Sequence, residues 1–415
     1  MPPRLTPVSP RSFVCPSCQS LLRRRGLESP RLRNFTTTPR RHATARKSKW
    51  VHLTNRSIIR LAGPDAALFL HNLIPAKILD IGGSTNPIYT AFLSAQGRIL
   101  HDVFVYPPSA ERGAGEEWFI EVDEASAGDL LRHLKKHKLR AKLQVEKVDA
   151  ERIGAYYSWP APEGPQNAGN GVGGRDPRPG MGLRWLEGDA ASKSSQFLQQ
   201  LQDSGCEPAT LEEYTVHRMR NGIAEGQSEI IAGHALPQES NLDLFGGIDF
   251  FKGCYLGQEL TIRTHHTGVV RKRILPCQLY HKDGPPPPER QEGPEYKPES
   301  GILLPPPESN ISKMRAKGRG RSSGKWLGGV GNIGLALCRL EMMTDIQLTA
   351  DCTNYDPSEQ YKVQWQEGEE TGEQQEVMLK PFVPKWLREG VEASLKRKER
   401  KKPKREEEEE EEELD

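Results

Sequence analysis

The sequence predicts an α+β fold, because its strands and helices follow one another without the regular alternation of a doubly wound sheet. Two apolar runs, 89–93 and 99–106, have the pattern of strands and are joined by a turn at 94–98 that contains a glycine near its end. They are therefore expected to form an antiparallel hairpin. Helical patterns at 65–73 and 124–137 stand on either side of the hairpin and of a further strand, so no strand–helix–strand repeat develops.

The elements of the first half follow from local patterns. They are a strand at 57–61, a helix at 65–73 with apolar Ala67, Leu68, Leu70 and Leu73, a strand at 118–122, a helix at 124–137 and an alternating strand at 139–148. Pro64 stands where a helix can begin. Residues 161–180 are dense in glycine and proline and predict a loop. The glycine run at 171–174 is not expected to bind phosphate, since it follows no predicted strand and opens no helix.

The second half combines short elements with long polar segments. Helices are predicted at 192–204 and 211–220, a strand at 269–279, an apolar segment at 327–340 and a last strand at 361–365. Residues 281–325 are rich in proline and in polar and basic side chains, and predict a disordered surface insertion. The tail at 395–415 is a basic block followed by glutamates, which cannot bury a core and predicts disorder.

Composition limits the classes of function. The chain has 415 residues, a hydrophobic fraction of 35% and a net charge of +2. This near-neutral balance favours no nucleic-acid partner, and no apolar run approaches the roughly 18 residues that cross a bilayer, so no membrane partner is expected either. The 7 cysteines lack a framework spacing, which favours a reducing compartment over a disulfide-stapled secreted protein.

The N-terminal segment has the composition of a mitochondrial presequence. Residues 1–49 are rich in Arg, Ser, Thr and Pro, and Glu28 is their only acidic residue. Residues 33–36 resemble the arginine-based cleavage sites of matrix-targeted precursors, so we place the presequence at 1–35 and the protein in the mitochondrial matrix. Cys15 and Cys18 form a CxxC pair in this segment, but no second ligand pair follows at metal spacing.

The chemistry of the chain centres on residues 252–259, KGCYLGQE, hereafter the cysteine loop. Cys254 follows a cation, Lys252, and precedes an expected helix start, and both features favour a reactive thiolate. Gly253 and Gly257 leave room for a sharp turn and for a partner or ligand near the sulfur. The alternative is that Cys254 is a small buried hydrophobic residue.

The cysteine loop also carries a family resemblance. Residues 247–259 resemble the signature of the YgfZ-type folate-binding proteins, relatives of the glycine cleavage T-protein, an aminomethyltransferase. Residues 236–242 and 260–273 are similar to the mitochondrial branch of that family, whose members act late in iron–sulfur cluster assembly, in making [4Fe-4S] clusters. Weaker patches, namely 63–65, 96–99 and 328–340, extend the resemblance over most of 50–386.

The resemblance implies a three-part, ring-like T-protein fold. Its parts are a split central domain at 50–110 and 211–268, a ferredoxin-like α+β domain at 115–205 that includes the loop at 161–180, and a C-terminal antiparallel β-barrel domain at 269–390 that carries the insertion at 281–325.

The resemblance also implies a possible tetrahydrofolate pocket. The T-protein has two adjacent acidic residues in its hairpin, whereas this chain has His101 and Asp102. Arg220 replaces a folate-contacting glutamate of the T-protein. Both changes remove hydrogen-bond acceptors, so aminomethyl transfer is disfavoured and folate binding is weakened. The candidate folate residues are Lys252, Tyr255, Gln258, Glu259, Arg263 and Asp102.

Gln258 and Glu259 could equally be first-turn helix residues, and Arg263 could equally lie on a solvated helix face. His265 and His266 are not favoured as metal ligands, because neighbours on an extended chain point to opposite faces and no third ligand is in register.

The functional thiol of this interpretation is Cys254, as one iron ligand of a shared cluster. A single cysteine cannot hold an iron–sulfur cluster, which takes four protein ligands, so a partner must supply the others, and the hypothesis is that this partner is an A-type scaffold protein. The expected function is formation or delivery of [4Fe-4S] clusters to clients such as aconitase-type and radical-SAM enzymes, without turnover of its own. The alternatives are a folate-dependent one-carbon transferase and a tRNA-modification factor like the bacterial relatives.

Overall fold

The computed structural model of the chain describes residues 47–79, 81, 84–108, 117–161, 172–188, 196–314, 322–348, 355–367 and 373–399. The predicted presequence, Cys15, Cys18, residues 162–171 of the predicted loop and residues 400–415 of the tail lie outside these ranges. Among the described residues, none of the helices is both long and apolar enough to span a bilayer.

The first sheet contains five strands in the order β3-β4-β5-β2-β6, and all its pairings are antiparallel. Its strands are β2 (Arg56–Ala62), β3 (Ile88–Leu93), β4 (Ile99–Tyr106), β5 (Glu117–Asp123) and β6 (Gln144–Val148). Helices α1 (Ala66–Leu73) and α2 (Ala127–Lys138) cover one face. Successive side chains of a strand point to opposite faces, so Ile59 and Leu61 pack under these helices while Ile58 joins the central core.

The second sheet has the strand order β10-β1-β7-β9-β8, in which only β1 and β10 are parallel among the described pairings. Its strands are β1 (Lys49–His52), β7 (Ile153–Trp159), β8 (Val172–Arg175), β9 (Leu183–Gly188) and β10 (Glu207–Pro208). Helix α3 (Gln196–Asp203) packs on it through Leu201. The central hydrophobic core lies where this sheet meets the open face of the first sheet.

Helix α4 (Leu211–Arg220) begins with a capping box, in which Thr210 and Glu213 each bind the other's backbone N–H. Helix α5 (Gln258–His266) follows the cysteine loop. The connection between α4 and α5 contributes Ile223, Leu242 and Phe245 to the central core. Although the connection is irregular, it is therefore a packed part of the fold.

The C-terminal part is a closed six-stranded barrel in the order β11-β14-β13-β12-β15-β16, with antiparallel pairings. Its elements are β11 (Lys272–Tyr280), β12 (Asn310–Lys313), β13 (Gly324–Val330), β14 (Ile333–Arg339), α6 (Leu340–Met343), β15 (Tyr361–Glu367), β16 (Glu373–Pro381) and α7 (Lys385–Glu399). Alternate residues of β11, namely Leu275, Cys277 and Leu279, fill the barrel core. The predicted antiparallel barrel is confirmed.

Several predictions of local structure need correction. Val172–Arg175 forms β8 inside the predicted loop, because its backbone pairs with β9. The sequence reading missed β16, which pairs with β11 and β15, and it missed α7, which carries regular structure to residue 399 of the predicted tail. The predicted boundary between 110 and 115 is also wrong, because β5 lies between β2 and β4 in a single sheet.

The expected disorder of residues 281–325 is wrong for the part that the structure describes. Asn310–Lys313 is a barrel strand, β12. Glu295 N–H donates to Gln278 Oε1 at 2.9 Å, and Lys297 N–H donates to Asn332 Oδ1 at 2.6 Å. These bonds to barrel side chains hold the proline-rich stretch, and Tyr296 and Ile302 also pack against the central and barrel cores. Residues 315–321 lie outside the described ranges.

Candidate functional site

The cysteine loop lies between the end of α1 and the start of α5. Leu256 N–H donates to the carbonyl of Asn72 in α1 at 3.1 Å, and Asp249 N–H donates to the carbonyl of Pro75 at 3.0 Å. The helix after the loop begins at Gln258, as the sequence predicted. The loop is therefore tied by its backbone to an element almost two hundred residues earlier in the chain.

Lys252 is the main anchor of the loop. Its Nζ donates to the carbonyls of His71 at 2.5 Å, Ile74 at 2.7 Å and Ala76 at 3.0 Å. An ammonium group has three donors, so none remains for the Cys254 sulfur. Burial lowers the pKa of Lys252 to about 7, although the negative charge of Asp249 acts to raise it. The expected action of Lys252 on the thiolate is thus corrected: its side chain caps the carbonyl end of α1.

Tyr255 and Gln258 fasten the other side of the loop. The Tyr255 ring is 6% exposed, and its hydroxyl lies 2.9 Å from Thr261 Oγ1. Tyr255 N–H donates to Gln258 Oε1 at 3.1 Å. Burial raises the pKa of Tyr255 to about 12, so the phenol stays protonated at neutral pH. The Tyr255 side chain is therefore engaged within the protein, and Gln258, which is half-buried, uses its side-chain oxygen to hold the loop.

Cys254 itself is exposed. The other cysteines that the structure describes, Cys206, Cys277 and Cys338, are buried. Burial raises the pKa of Cys206 to about 11 and that of Cys277 well above its usual range, which keeps these thiols unreactive. The alternative that Cys254 is a buried hydrophobic residue is wrong. Its thiol is the one in the described chain that a second protein can reach.

The two glycines of the loop have different roles. Gly257 has a φ of +79°, and a Cβ there would lie 2.3 Å from the Ser94 carbonyl oxygen. Gly97, at the tip of the predicted hairpin, also has a positive φ, and its added Cβ would lie 2.8 Å from the Gly257 oxygen. The loop and the hairpin turn therefore pack backbone against backbone. Gly253 instead faces open space, with no atom within 4 Å of an added Cβ.

The side chains of α5 separate into exposed and packed groups. Glu259 and Arg263 are exposed. His265 stacks on Phe250, with ring centroids 3.7 Å apart, and His266 meets His265 edge to face. In the part of the chain that the structure describes, no group of three or more His, Cys, Asp or Glu side chains could hold a metal ion. The imidazole rings of His265 and His266 therefore pack against neighbouring rings.

A buried ionic network, which the sequence analysis missed, occupies the interior between the two sheets. Its members are Arg56, Asp102, Glu121, Asp176, Arg178, Arg184, Arg218, Glu225 and Glu229, all buried. Glu121 accepts from Arg56 Nε at 2.7 Å, from Arg184 Nε at 2.8 Å and from the Tyr106 hydroxyl at 2.7 Å. Glu225 accepts from Arg178 Nη1 at 2.7 Å and from the Tyr214 hydroxyl at 2.8 Å. The network joins both sheets to the segment after α4.

One signal in the sequence could have revealed this network. Side chains alternate between the two faces of strand β5, so Glu121 lies on the same inward face as Phe119, two residues earlier. A carboxylate on a buried face needs a cationic partner. The alternation alone does not say which arginine supplies it.

His101 and Asp102 lie on opposite faces of β4, so they do not form a pair. Asp102 faces the network, is 1% exposed and accepts from Gly226 N–H at 3.2 Å. Burial raises the pKa of Asp102, although Arg56 opposes the shift. His101 lies on the α2 side, where burial lowers its pKa to about 4. Neither side chain is available at a surface.

The predicted folate residues lie outside the two cavities that stand out among the described residues. Arg220 is exposed in a cleft of about 790 Å³. The cleft is lined by Lys47, Lys49, Trp159, Pro160, Gly180, Glu212, Glu213, Val216, His217, Arg220, Asn221, Gly293, Pro294 and Tyr296. None of Lys252, Tyr255, Gln258, Glu259, Arg263 and Asp102 lines this cleft or the smaller one of about 320 Å³ beside Arg98 and Lys272.

Comparison with known sequences finds relatives over nearly the whole chain. A family model described as the CAF17 C-terminal beta-barrel domain matches residues 271–389. The "Iron-sulfur cluster assembly factor IBA57 homolog, mitochondrial" of Coccidioides immitis is 43% identical over 408 residues, which cover 94% of this chain and 93% of that protein. The protein of the same name from Aspergillus oryzae is 45% identical, and the match covers 86% of this chain and 87% of that protein. The one from Neurospora crassa is 41% identical, and the match covers 94% of this chain and 91% of that protein.

Comparison with solved structures finds the glycine cleavage system aminomethyltransferase T of Bartonella henselae. The TM-score is 0.53 and the identity 12%, over 82% of this chain and 87% of that one. At this identity the likeness shows the fold alone. The prediction of a T-protein-like α+β fold with a C-terminal antiparallel barrel is confirmed.

Proposed function

Since this chain belongs to the family of mitochondrial iron–sulfur cluster assembly factors named IBA57 homologues, we propose that it acts late in assembly, in the formation or delivery of [4Fe-4S] clusters. It works in the matrix with an A-type scaffold protein as its partner. The observation that carries this proposal is the exposure of Cys254 on a loop anchored on both sides.

The proposed chemistry is the sharing of a cluster between two proteins. An iron–sulfur cluster takes four protein ligands, and the described residues hold no ligand group of their own for a metal. Cys254 then supplies one thiolate, and the scaffold supplies the others. The cluster is the cargo of this exchange, and its recipients are [4Fe-4S] clients such as aconitase-type and radical-SAM enzymes.

The anchoring of the loop supports this role. Lys252 holds it to α1, and Tyr255 holds it to α5 through Gln258 and Thr261. A ligand that is already positioned loses little conformational entropy when the cluster binds. The open space at Gly253 lets the partner approach the neighbouring sulfur.

Replacing Cys254 with alanine is expected to abolish the shared cluster, because the partner's thiolates alone leave one iron position without its ligand. The experiment is anaerobic reconstitution of the chain with the scaffold, iron and sulfide, followed by visible absorption and by recovery of a [4Fe-4S] client enzyme. We expect client recovery to fall to the level seen without this protein.

The matched control is Cys206→Ala, which removes a thiol that is 5% exposed. This variant is expected to keep the wild-type absorption and client recovery. If Cys254→Ala forms the mixed cluster with an unchanged spectrum, Cys254 is not a ligand and the proposal is wrong.

The 790 Å³ cleft favours folate binding as a second candidate function. Its volume suits a small-molecule ligand, and it combines the aromatic rings of Trp159 and Tyr296 with the cationic side chains of Lys47 and Arg220. These groups match the two ends of tetrahydrofolate, a reduced pterin whose pyrimidinone ring is planar, and a carboxylate tail. We propose binding without aminomethyl transfer, because the Asp102 carboxylate is enclosed in the ionic network.

Changing Arg220 to alanine is expected to weaken tetrahydrofolate binding about tenfold, the value of one charged hydrogen bond. Isothermal titration with tetrahydrofolate measures this change. Arg132→Ala, on the exposed surface of α2, is the control and should bind like the wild type. Equal affinity of all three proteins would remove the cleft as the folate site, and measurable aminomethyl transfer would support the transferase alternative.

A further inference from the structure

The smaller cleft, of about 320 Å³, lies where three parts of the fold meet. Arg98 is the last residue of the hairpin turn of the first sheet, Glu239 belongs to the connection between α4 and α5, and Lys272 begins β11 of the barrel. The barrel also contributes apolar side chains to the wall, among them Ile274 and Leu327. Small-molecule sites combine apolar walls with a few convergent polar groups and are often found at such junctions. The function proposed above does not use this cleft.

The charged side chains that line the cleft do not balance locally. They are three cations and three carboxylates, namely Arg98, Lys272 and Lys325, and Glu229, Glu239 and Glu308. Glu229 is neutralised from outside the lining, because Arg218 donates to it through two bonds of 2.5 Å. Lys325 and Glu308 pair with each other at 3.2 Å. Arg98 and Lys272 are left with the carboxylate of Glu239 between them, so the cleft carries one positive charge in excess.

Arg98 and Lys272 keep hydrogen-bond donors that the described chain does not use. The Arg98 guanidinium donates through Nη1 to the His234 carbonyl at 2.7 Å, and among the described residues no carboxylate pairs with it. Lys272 Nζ lies 3.7 Å from Glu239 Oε1, which is too long for a strong hydrogen bond. Burial raises the pKa of Glu239, and the positive charges of Lys272 and Arg98 oppose this rise. The two cations therefore lie close to the same carboxylate.

We propose that this cleft binds a small organic monoanion, whose carboxylate lies between Arg98 and Lys272 and whose hydrocarbon body packs on the apolar wall. The carboxylate supplies the missing negative charge, and the planar guanidinium can hold it by two parallel hydrogen bonds. The wall formed by Ile274 and Leu327 favours a hydrocarbon body over a bare inorganic anion, since burial of apolar surface stabilises the complex. A volume of about 320 Å³ limits the ligand to a short carbon chain.

The cleft adjoins the elements that support the cysteine loop. Arg98 follows Gly97, where an added Cβ would lie 2.8 Å from the Gly257 oxygen. Gln238, the neighbour of Glu239, donates through Nε2 to the Thr261 carbonyl of α5 at 2.9 Å. A carboxylate bound by both Arg98 and Lys272 joins the hairpin turn to the barrel. Occupancy of the cleft therefore restrains the turn against which the loop packs.

The test is calorimetric titration of the full chain with hexanoate and three compounds that each change one feature of it. Acetate lacks most of the hydrocarbon body, hexanol lacks the charge, and hexylamine reverses the charge. Hexanoate is expected to bind at least tenfold more tightly than each of them, because it alone combines the anionic head with the apolar body. Hexanoate should also slow amide hydrogen exchange in the hairpin turn at 94–98.

Three variants locate the bound hexanoate. Arg98→Gln and Lys272→Gln are each expected to weaken its binding about tenfold, the value of one charged hydrogen bond. Both should melt like the wild type, because Arg98 is exposed and Lys272 is partly exposed. Glu239→Gln is expected to strengthen binding several-fold, since it removes a negative charge beside the carboxylate. Arg132→Ala, on the exposed surface of α2, is the control and should bind hexanoate like the wild type.

The proposal is overturned if hexanoate does not bind, or if hexanol binds equally well, which would make the cleft a purely apolar site. It is also overturned if hexylamine binds as tightly as hexanoate, because Glu239 would then be the group that selects the ligand. Unchanged affinity in both Arg98→Gln and Lys272→Gln would place the hexanoate elsewhere and likewise reject the proposal. The titration contains no scaffold, iron, sulfide or tetrahydrofolate, so its outcome is independent of the proposed function.

Discussion

Replacing Glu121 with glutamine is expected to lower the free energy of unfolding by about 3–5 kcal/mol, the usual cost of breaking a buried ion pair from one side. Glutamine keeps the shape and removes the charge. Arg184 is 0% exposed and would keep Glu225 as an anionic partner, at 3.2 Å from its Nη1. Among the described residues, the carboxylate that Arg56 would keep within 4.0 Å is that of Asp102. A buried guanidinium with so distant a partner is costly because it cannot lose its proton.

Denaturant unfolding of the wild type and the variant measures this loss. Asp129→Asn is the matched control, since Asp129 also pairs with an arginine, Arg132, but on the surface. Exposed pairs of this kind contribute about 0–1 kcal/mol. A loss below 1 kcal/mol for Glu121→Gln would show that the network contributes little to stability.

Glu121→Gln is also expected to change how the stability of the folded protein falls at acidic pH. Burial disfavours ionised Glu121, but Arg184 and Arg56 outweigh it and lower the pKa of Glu121 from 4.5 to about 2. A carboxylate whose folded pKa is depressed stabilises the protein above its unfolded pKa, and this stability is lost as the pH falls towards the folded pKa. The wild type should therefore lose stability between about pH 4.5 and 2, and Glu121→Gln should lose less over that window.

Changing Gly257 to alanine is expected to destabilise the protein by roughly 2–4 kcal/mol. The residue has a φ of +79°, where an L side chain costs about 1–2 kcal/mol. Its Cβ would also lie 2.3 Å from the Ser94 carbonyl oxygen, which is backbone and cannot rotate away. To relieve the overlap, the cysteine loop and the hairpin turn must separate, and this displaces Cys254.

Gly253→Ala is the control within the same loop, since its Cβ meets nothing within 4 Å. Thermal unfolding should leave Gly253→Ala close to the wild type and lower the melting temperature of Gly257→Ala. Gly257→Ala should also show reduced client recovery in the reconstitution assay. Equal stability of the two variants would mean that the contact between the loop and the hairpin adjusts freely.

The network and the loop are connected through β4. Asp102 of β4 accepts a hydrogen bond from Gly226 N–H within the buried ionic network. The same strand begins at Ile99, directly after the hairpin turn that contacts Gly257. Sequence patterns predicted both ends of this connection, the hairpin turn and the start of α5 at Gln258, because each depends on neighbouring residues. They did not predict that the turn and the loop would meet.

The predictions that failed share a physical cause. The proline-rich segment after residue 280 is poor in apolar residues, so its composition predicts disorder, yet barrel side chains such as Gln278 and Asn332 hold it by hydrogen bonds. The adjacent residues His101 and Asp102 occupy the positions of a carboxylate pair in the T-protein hairpin, but neighbours on a strand point to opposite faces. In each case the outcome depended on groups that are distant along the chain.

The amino-acid sequence alone was sufficient to identify the α+β class and Cys254 as the candidate thiol, because helix, strand and motif signals are local, whereas the C-terminal barrel was implied by the family resemblance. Only the tertiary structure decided how the cysteine loop is held and what it exposes. The partners of Lys252 lie 176 to 181 residues away, and those of Glu121 lie up to 65 residues away. Residues this far apart in the sequence come together only when the chain folds, so no local sequence pattern could identify these partners.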